Sequence, residues 1–226
     1  MYTLYIGNKN YSSWSLRPWL LLTQLQIPFQ EILVPFDEGG SHEKFRAFSP
    51  TGLVPCLVDG DHTIWESLAI VEYLGDAHPT VWPYSTTARA WARSAAAEMH
   101  AGFDGLRNDC PMTVGLRIRL HAVSQALSAD LQRLTELWRQ GLNTFGGPFL
   151  AGNRFTAVDA FFAPVAFRLQ TYHLPLPEEC LDYAQRILTL DGMIAWTEAA
   201  LREAFREPTH EAEILAIGDW VEDLRS

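Results

Sequence analysis

The sequence predicts two domains, a small α/β domain followed by an all-α domain. Three observations support this prediction. The first eighty residues or so alternate short β-type runs with amphipathic helices. A segment with two prolines and no hydrophobic period follows, and beyond it the pattern is helical. We therefore expect a first domain at residues 1–78, a linker at residues 79–85 and a second domain at residues 86–226.

The chain begins with a strand, a helix and a second strand. The strands are expected at residues 2–6 and 29–34. The helix is expected to start near Ser15, because proline is tolerated only in the first turn and Pro18 lies close by. Short links between these elements indicate parallel strands joined by a right-handed crossover. A break in the chain is expected at Gly39-Gly40.

A short helix, a hairpin and a longer helix complete the predicted α/β domain. The short helix is expected at residues 41–48, with Ser41 as its N-cap. Val54-Pro55 opens the hairpin, and Asp59-Gly60-Asp61 has the residues of a tight turn. The helix that follows is expected from about Ser67 to Ala77, with apolar positions suited to packing on a sheet.

The second half of the chain has the period of several helices. Thr156 and Asp159 have the spacing of a capping box at the start of a helix that is almost wholly apolar, so this helix is expected to be buried at the centre of the domain. The tail from Pro208 onward is mixed in character. The predicted helices lie at residues 88–107, 116–140, 156–170, 178–188 and 191–207.

Composition and charge exclude several classes of function. A hydrophobic content of 48% and a charged content of 19% are typical of a globular protein with a large core. The net charge of −10 argues against nucleic-acid binding as the main role. No run approaches the roughly 20 apolar residues that a membrane helix needs, and the N-terminus reads as a strand rather than a signal peptide.

The three cysteines, Cys56, Cys110 and Cys180, show neither a CxxC motif nor the spacing of metal ligands. An odd number of cysteines without a framework favours a reducing, cytoplasmic location and no metal. Cys56 follows a proline inside a strand and is interpreted as an inert buried thiol.

Three short motifs stand in a fixed order along the predicted elements. Ser12-Ser13-Trp14-Ser15-Leu16-Arg17 follows the first strand, Val54-Pro55 opens the hairpin, and Glu66-Ser67 begins the last helix of the domain. With the linker and the capped helix, this set resembles the cytosolic glutathione transferases of the serine type, closest to the zeta class and similar to the theta and delta classes. The resemblance covers essentially the whole chain. It implies a thioredoxin-like first domain, an all-helical second domain and an enzyme that uses glutathione.

The resemblance implies a glutathione site along the hairpin. Val54 would pair through its backbone with the cysteinyl part of the tripeptide, next to a cis bond at Pro55. Ser67, at a helix N-terminus, suits the γ-glutamyl carboxylate, and Glu66 suits the γ-glutamyl ammonium. Such a pairing would hold glutathione like an added strand.

Two further positions would contact or border glutathione. His42 lies where family members often place a contact to the glycine carboxylate, and a solvated helix residue is the alternative interpretation. Leu53 stands where the family often has Lys or Gln before Val-Pro, so that polar contact is lost here.

Thiol chemistry gives the serines their role. A free thiol has a pKa of about 8.5 and is mostly protonated at neutral pH. A hydroxyl donor and the positive end of the first helix would favour the glutathione thiolate, which then attacks a small electrophile. Ser12 matches the zeta pattern and Ser13 matches the theta and delta spacing, four residues before Arg17, so both are candidates and Ser13 is preferred.

The co-substrate pocket is expected to contain Trp14, His100, Phe103 and Arg107, with ordinary packing between domains as the alternative. Trp14 stands where zeta enzymes have cysteine. Thr171 occupies the position where zeta-class enzymes have an arginine that binds the carboxylates of maleylacetoacetate. Arg168 lies about one helical turn before it.

The main hypothesis is glutathione conjugation by a homodimer. The alternatives are a glutathione-dependent isomerase of the maleylacetoacetate type, a peroxidase, or a non-catalytic binding protein that kept the fold. A glutaredoxin-like reductase is disfavoured because no cysteine lies near Ser12-Ser13.

Overall fold

A computed structural model describes residues 1–38 and 41–225, so the break expected at Gly39-Gly40 lies outside the described residues. The strands are β1 (Tyr2–Ile6), β2 (Phe29–Leu33), β3 (Cys56–Asp59), β4 (His62–Ile64), β5 (Leu116–Leu120) and β6 (Gly218–Asp223). The helices are α1 (Ser13–Gln24), α2 (His42–Phe45), α3 (Ser67–Ala77), α4 (Thr86–Ala101), α5 (Asp104–Asp109), α6 (Gln125–Phe145), α7 (Ala157–Tyr172), α8 (Glu178–Leu188), α9 (Asp191–Leu201) and α10 (Pro208–Ile217).

The first four strands form one mixed sheet in the order β2-β1-β3-β4. β1 runs parallel to β2, with Tyr2 opposite Phe29, and α1 makes the crossover between them. β3 is antiparallel to both β1 and β4. The predicted fold class is confirmed: a βαβ-ββα domain precedes a helical domain. Residues 79–85 form turns and bends between α3 and α4, and the exact domain boundaries remain a prediction.

α1 begins earlier than the sequence suggested. It starts at Ser13 rather than near Ser15, because the Ser12 side chain caps it by accepting from the backbone N–H of Ser15. Pro18 therefore lies inside the helix, beyond the first turn where we expected it. The missing N–H leaves the Trp14 carbonyl without its usual helical donor.

The short helix α2 is also smaller than expected. It covers only His42–Phe45, and Ser41 stands at its N-cap position without a capping hydrogen bond. The Ser41 hydroxyl instead accepts a 2.8 Å hydrogen bond from the backbone N–H of Asp37.

The helix expected at residues 88–107 is two helices. The chain turns at Phe103, which has a φ of 61°, and α5 starts after it. The Arg107 side chain caps the C-terminal end of α4. Its Nε donates to the Gly102 carbonyl at 2.9 Å, and its Nη2 donates to the His100 carbonyl at 3.2 Å. These bonds satisfy carbonyl groups that the helix end leaves without backbone donors.

The prediction of a helix at residues 116–140 is wrong at both ends. Its first part is the strand β5, which pairs with β6 near the C-terminus and adds a two-stranded ribbon to the helical domain. α6 starts later, capped by Ser124, and continues through Gly141. Glycine is needed there because a Cβ would collide with the Trp91 ring and lie 2.6 Å from the Leu150 carbonyl oxygen.

α9 ends at Leu201, six residues before its expected end, whereas α7 has the predicted capping box. Asp159 Oδ2 accepts from the Thr156 backbone N–H at 2.9 Å, and Oδ1 accepts from the Leu150 N–H and the Tyr183 hydroxyl, each at 3.0 Å. Burial raises the pKa of Asp159 to about 6, against the effect of these hydrogen bonds. Asp159 thus ties α7, α8 and the preceding loop together.

The helical domain also holds the loop after β1. Both Lys9 and Asn10 donate their backbone N–H groups to the carboxylate of Glu203, at 2.6 and 3.1 Å. Trp196 Nε1 donates to the Lys9 carbonyl at 2.8 Å. The start of α1 is therefore positioned by contacts from both domains. Among the described residues, no helix combines the length and the apolarity needed to cross a membrane.

Candidate functional site

A cavity of about 700 Å³ lies between the α/β domain and the helical domain, at the N-terminal end of α1. One wall comes from the loop before α1 and the start of the hairpin, and the opposite wall comes from α5, α7 and α10. The lining residues are Tyr11, Ser12, Ser13, Trp14, Phe36, Phe45, Leu53, Val54, Arg107, Asn108, Pro111, Met112, Arg168, His210, Glu213, Ala216 and Ile217.

The two candidate serines have different surroundings. Ser12 caps α1, and its hydroxyl donates to Ser15 Oγ at 2.7 Å. Ser13 is the first residue of α1, and its hydroxyl makes no hydrogen bond to any described residue. The Ser13 hydroxyl thus lines the cavity at the positive end of a twelve-residue helix with its donor free.

The start of the hairpin faces the serines across the cavity. The Val54-Pro55 bond is cis, as the resemblance implied, and Val54 lines the cavity while Pro55 is buried. Leu53 also lines the cavity and is 62% exposed, so this position offers an apolar side chain and no charge.

Glu66 and Ser67 do not line the cavity. Ser67 is fully buried as the first residue of α3, and its Oγ has no hydrogen-bond partner among the described residues. Glu66 is exposed, and its Oε1 lies 2.9 Å from Nε2 of His100 on α4. The pair therefore stands at the junction of the two domains, with an unused hydroxyl at the N-terminus of a helix.

Of the residues expected at the co-substrate pocket, Trp14 and Arg107 line the cavity, and His100 and Phe103 do not. Burial lowers the pKa of His100, and nearby Arg17 and Arg107 act in the same direction against Glu66. His100 makes an edge contact with Trp14, with 5.2 Å between ring centroids. Phe103 is buried against Phe162 in the core.

Three arginines lie near Trp14 or the cavity: Arg17 and Arg107 contact the Trp14 ring, and Arg107 and Arg168 line the cavity. The guanidinium carbons of Arg17 and Arg107 lie 4.2 and 4.7 Å from the Trp14 ring centroid. Arg168 lines the cavity and donates from Nε to the Cys110 carbonyl at 2.8 Å. None of the three has an ion-pair partner within residues 1–38 and 41–225, although the whole chain carries a net charge of −10.

Arg17 is the most isolated of these charges. It is 1% exposed, and its Nε and Nη1 have no hydrogen-bond partner in the described part of the chain. Burial, with Arg107 and Arg168 nearby, lowers its pKa. Burial and Arg107 also lower the pKa of Arg168, to about 10, so Arg168 stays charged at neutral pH. Arg17 does not line the cavity, but Arg107 and Arg168 do, and their side of the cavity is suited to an anion.

A second cavity of about 320 Å³ adjoins the first and shares Phe36, Phe45, Leu53 and His210 with it. His42 lines the second cavity and not the first. Its ring packs on Gly52, where a Cβ would lie 2.6 Å from His42 Cδ2 and φ is +67°. The glycine therefore makes room for the histidine beside Leu53.

Sequence reasoning missed the contribution of α10, which provides His210, Glu213, Ala216 and Ile217 to the main cavity. This segment is held by the Tyr11 hydroxyl, which donates to Glu211 Oε1 at 2.6 Å. Arg225, nearly buried, pairs with Glu211 at 2.6 Å. No local motif in the tail marks these contacts, because Tyr11 lies 200 residues before Glu211 in the sequence.

The cysteines do not line the cavity. Cys56, Cys110 and Cys180 are free and buried. In the described residues, no group of three or more His, Cys, Asp or Glu side chains is placed to hold a metal ion.

Comparisons with known proteins agree with this architecture. Family models of the glutathione S-transferase N-terminal and C-terminal domains match residues 11–77 and 89–206. A probable maleylacetoacetate isomerase from Vibrio cholerae is 26% identical over 62% of this chain and 68% of its own length. The maleylacetoacetate isomerase of Rattus norvegicus is 25% identical over 93% of this chain and 96% of its own. The crystal structure of a glutathione transferase homologue from Burkholderia with bound glutathione superposes with a TM-score of 0.66 at 22% identity, covering 88% of this chain and 97% of that one.

Proposed function

Because the chain belongs to the glutathione S-transferase family, we propose that it conjugates the thiolate of glutathione to a small electrophile. The observation that carries this proposal is the free hydroxyl of Ser13. It lines the cavity at the N-terminal end of α1, while the neighbouring Ser12 hydroxyl is already used in capping.

The chemistry requires a thiolate at neutral pH. The Ser13 hydroxyl donates a hydrogen bond to the sulfur, and the partial positive charge at the start of α1 favours the same charged form. The sulfur then forms a bond to the electrophilic carbon, and the leaving group departs with its electron pair. Ser13 does not become covalently modified, since the nucleophile belongs to glutathione.

The proposed contacts of glutathione lie partly on the cavity wall and partly at the start of α3, outside the cavity lining. The backbone of Val54 pairs with the cysteinyl residue, across the cavity from Ser13. The unpartnered Ser67 hydroxyl at the N-terminus of α3 suits the γ-glutamyl carboxylate, and the exposed carboxylate of Glu66 suits the ammonium. A buried hydroxyl without a partner costs free energy, which a ligand reaching that helix end would recover.

Isothermal titration with glutathione tests binding, and turnover of a halo-nitroaromatic compound tests conjugation. We expect saturable binding at millimolar glutathione or below and conjugation that depends on Ser13. Absence of binding at millimolar concentrations would contradict the proposal. Binding without turnover of any electrophile would favour a non-catalytic binding protein.

A second candidate function is glutathione-dependent isomerisation of an anionic substrate. The specific observation is that Arg107 and Arg168 line the cavity without carboxylate partners in the described residues, while Arg17 is buried against Trp14. Charged groups in such a site favour a counter-charge from a ligand. Assays with maleylacetoacetate analogues beside neutral electrophiles separate the two functions, because only isomerisation returns glutathione unchanged.

We further propose that the protein is a homodimer in the cytoplasm, where its three free cysteines stay reduced. Sedimentation velocity at micromolar concentration tests the first point, and a monomer would contradict it. Fractionation of the source cells tests the second.

A further inference from the structure

His210 stands at the boundary between the two cavities. It is the third residue of α10, outside the segment that the C-terminal family model matches, and it lines both cavities. Its ring stacks between Tyr11 and Phe36, with centroid distances of 5.1 and 5.8 Å. The stacking fixes the ring, so its free nitrogen has a defined place.

Glu207 determines which nitrogen of His210 is free. One oxygen of this buried carboxylate, Oε2, lies 2.7 Å from the His210 Nδ1 and also accepts the His210 backbone N–H at 2.7 Å. Burial opposes ionisation of Glu207, but the hydrogen bonds from His210 prevail and hold the pKa of Glu207 below its ordinary value. Nδ1 therefore carries a proton, and Nε2 makes no hydrogen bond to any residue that the structure describes.

In the proposed binding mode, glutathione runs toward this nitrogen. The inference rests on the proposed function, in which Val54 pairs with the cysteinyl residue and Glu66-Ser67 holds the γ-glutamyl end. The glycyl end then extends past Leu53, into the smaller cavity that His42 and His210 line.

We propose that His210, whose Nδ1 faces the Glu207 carboxylate, donates from Nε2 to the glycyl carboxylate of glutathione. This contact supplies from the helical domain the polar partner that Leu53 does not supply from the hairpin. Glu207, His210 and the glycyl group form a row in which the imidazole ring lies between two carboxylates.

The other charged side chains near the smaller cavity are not free to bind the glycyl carboxylate. Asp37 also lines the cavity, and its carboxylate lies 2.9 Å from the Lys44 ammonium. Lys44 is thus occupied by Asp37 and by the Pro35 carbonyl, to which it donates at 3.0 Å. His42 also lines the smaller cavity and is the second histidine there.

The test compares two ligands on matched variants by isothermal titration. The ligands are glutathione and glutathione with its glycyl carboxylate esterified. His210→Phe keeps a stacking ring but removes Nε2, and His210→Gln keeps an amide donor at a similar reach. Leu215→Ala, on the exposed side of the same helix, is the control for general damage to α10. Circular dichroism and thermal unfolding verify the fold of each variant.

We expect the wild type to bind glutathione at least about tenfold more tightly than the ester, because a charge-assisted hydrogen bond is lost. H210F should remove this preference by weakening glutathione binding alone, H210Q should keep part of it, and L215A should keep all of it. A preference that survives in H210F, or an equal loss for both ligands, overturns the inference and leaves the proposed function intact. If the wild type binds neither ligand, the proposed function fails, and the inference with it.

Discussion

The hydroxyl of Ser12 donates a 2.7 Å hydrogen bond to Ser15 Oγ, and this bond divides the roles of the adjacent serines. Ser15 Oγ also accepts the backbone N–H of Gly7 at 3.2 Å. The hydroxyls of Ser12 and Ser15 together therefore hold the loop between β1 and α1 in place. Ser13 takes no part in this network. The serine that holds the loop and the serine whose hydroxyl stays free at the cavity are therefore different residues.

Ser13→Ala is expected to lower kcat/KM for conjugation by about 10- to 100-fold, because a hydrogen bond to a charged group contributes about 1.5–3 kcal/mol. Its thermal stability should match that of the wild type. The pKa of glutathione bound to the variant, followed by thiolate absorbance, should rise toward about 8.5.

Ser12→Ala provides the matched comparison. Loss of the N-cap should reduce the free energy of unfolding by about 1 kcal/mol, while activity falls less than in S13A. Denaturant unfolding and turnover measured on both variants decide the assignment. A larger loss of activity in S12A than in S13A would reverse the two roles.

Arg168→Met is expected to raise KM by about tenfold for a co-substrate that carries a carboxylate, and to leave KM nearly unchanged for a neutral compound with the same reactive group. The reason is that Arg168 lines the cavity as a charged group at neutral pH and has no carboxylate partner within the described residues. Steady-state kinetics with the paired compounds measure the effect.

Arg154→Met is the control for this variant, since Arg154 lies over Tyr84, away from the cavity, with its guanidinium carbon 3.9 Å from the ring centroid. It should affect neither compound. Equal changes in KM for the charged and neutral compounds in R168M would indicate a steric role for Arg168, and would weaken the case for an anionic substrate.

Local patterns were sufficient for the α/β domain and insufficient for much of the helical domain. The sheet and the capping box at Thr156 and Asp159 follow from short-range signals, namely alternation, turn residues and cap spacing. β5 could not be predicted in this way, because its partner β6 lies about a hundred residues further along the chain. His210 lies at the cavity through stacking on Tyr11 and Phe36, which are far away in the sequence, so its sequence neighbours give no sign of it.

The spacing to Arg17 favoured Ser13 over Ser12, but the sequence could not show that the Ser13 hydroxyl is free. Both serines fit a helix start, and in the structure the Ser12 hydroxyl points to Ser15. The break at Phe103 could not be predicted either, because it depends on side-chain contacts. The Arg107 guanidinium donates hydrogen bonds to the carbonyl groups at the C-terminal end of α4. Side-chain geometry determines which serine hydroxyl is free and where α4 ends, and helical periodicity alone does not predict either.

Asp159→Ala is expected to lower the free energy of unfolding by about 3 kcal/mol or more under mildly acidic conditions, because the buried donors of Leu150, Thr156 and Tyr183 lose their acceptor. Denaturant unfolding measures this effect. Asp182→Asn, on the exposed side of α8, is the control and should change stability little.

The pH dependence of this variant has a definite sign. The pKa of Asp159 is raised from 3.8 to about 6, so the folded protein holds the proton more tightly than the unfolded chain. That stabilising contribution is full below an ordinary aspartate pKa and is lost as pH rises through about 6, an effect of about 3 kcal/mol. The stability difference between wild type and D159A should therefore shrink from about pH 4 to about pH 7. A difference that grows with pH would contradict the raised pKa.

The three cysteines are expected to be unreactive in the native protein. Burial raises the pKa of the Cys56 and Cys180 thiols to about 11 and that of Cys110 to about 12, so thiolate is scarce at mildly alkaline pH as well as inaccessible. A thiol-specific chromogenic disulfide should detect no thiol in the native protein and three after denaturation. Conjugation activity should survive prolonged iodoacetamide treatment of the native protein, because the reacting sulfur comes from glutathione. Rapid modification of one thiol with parallel loss of activity would instead indicate a cysteine-based reductase, and would remove Ser13 from the centre of the mechanism.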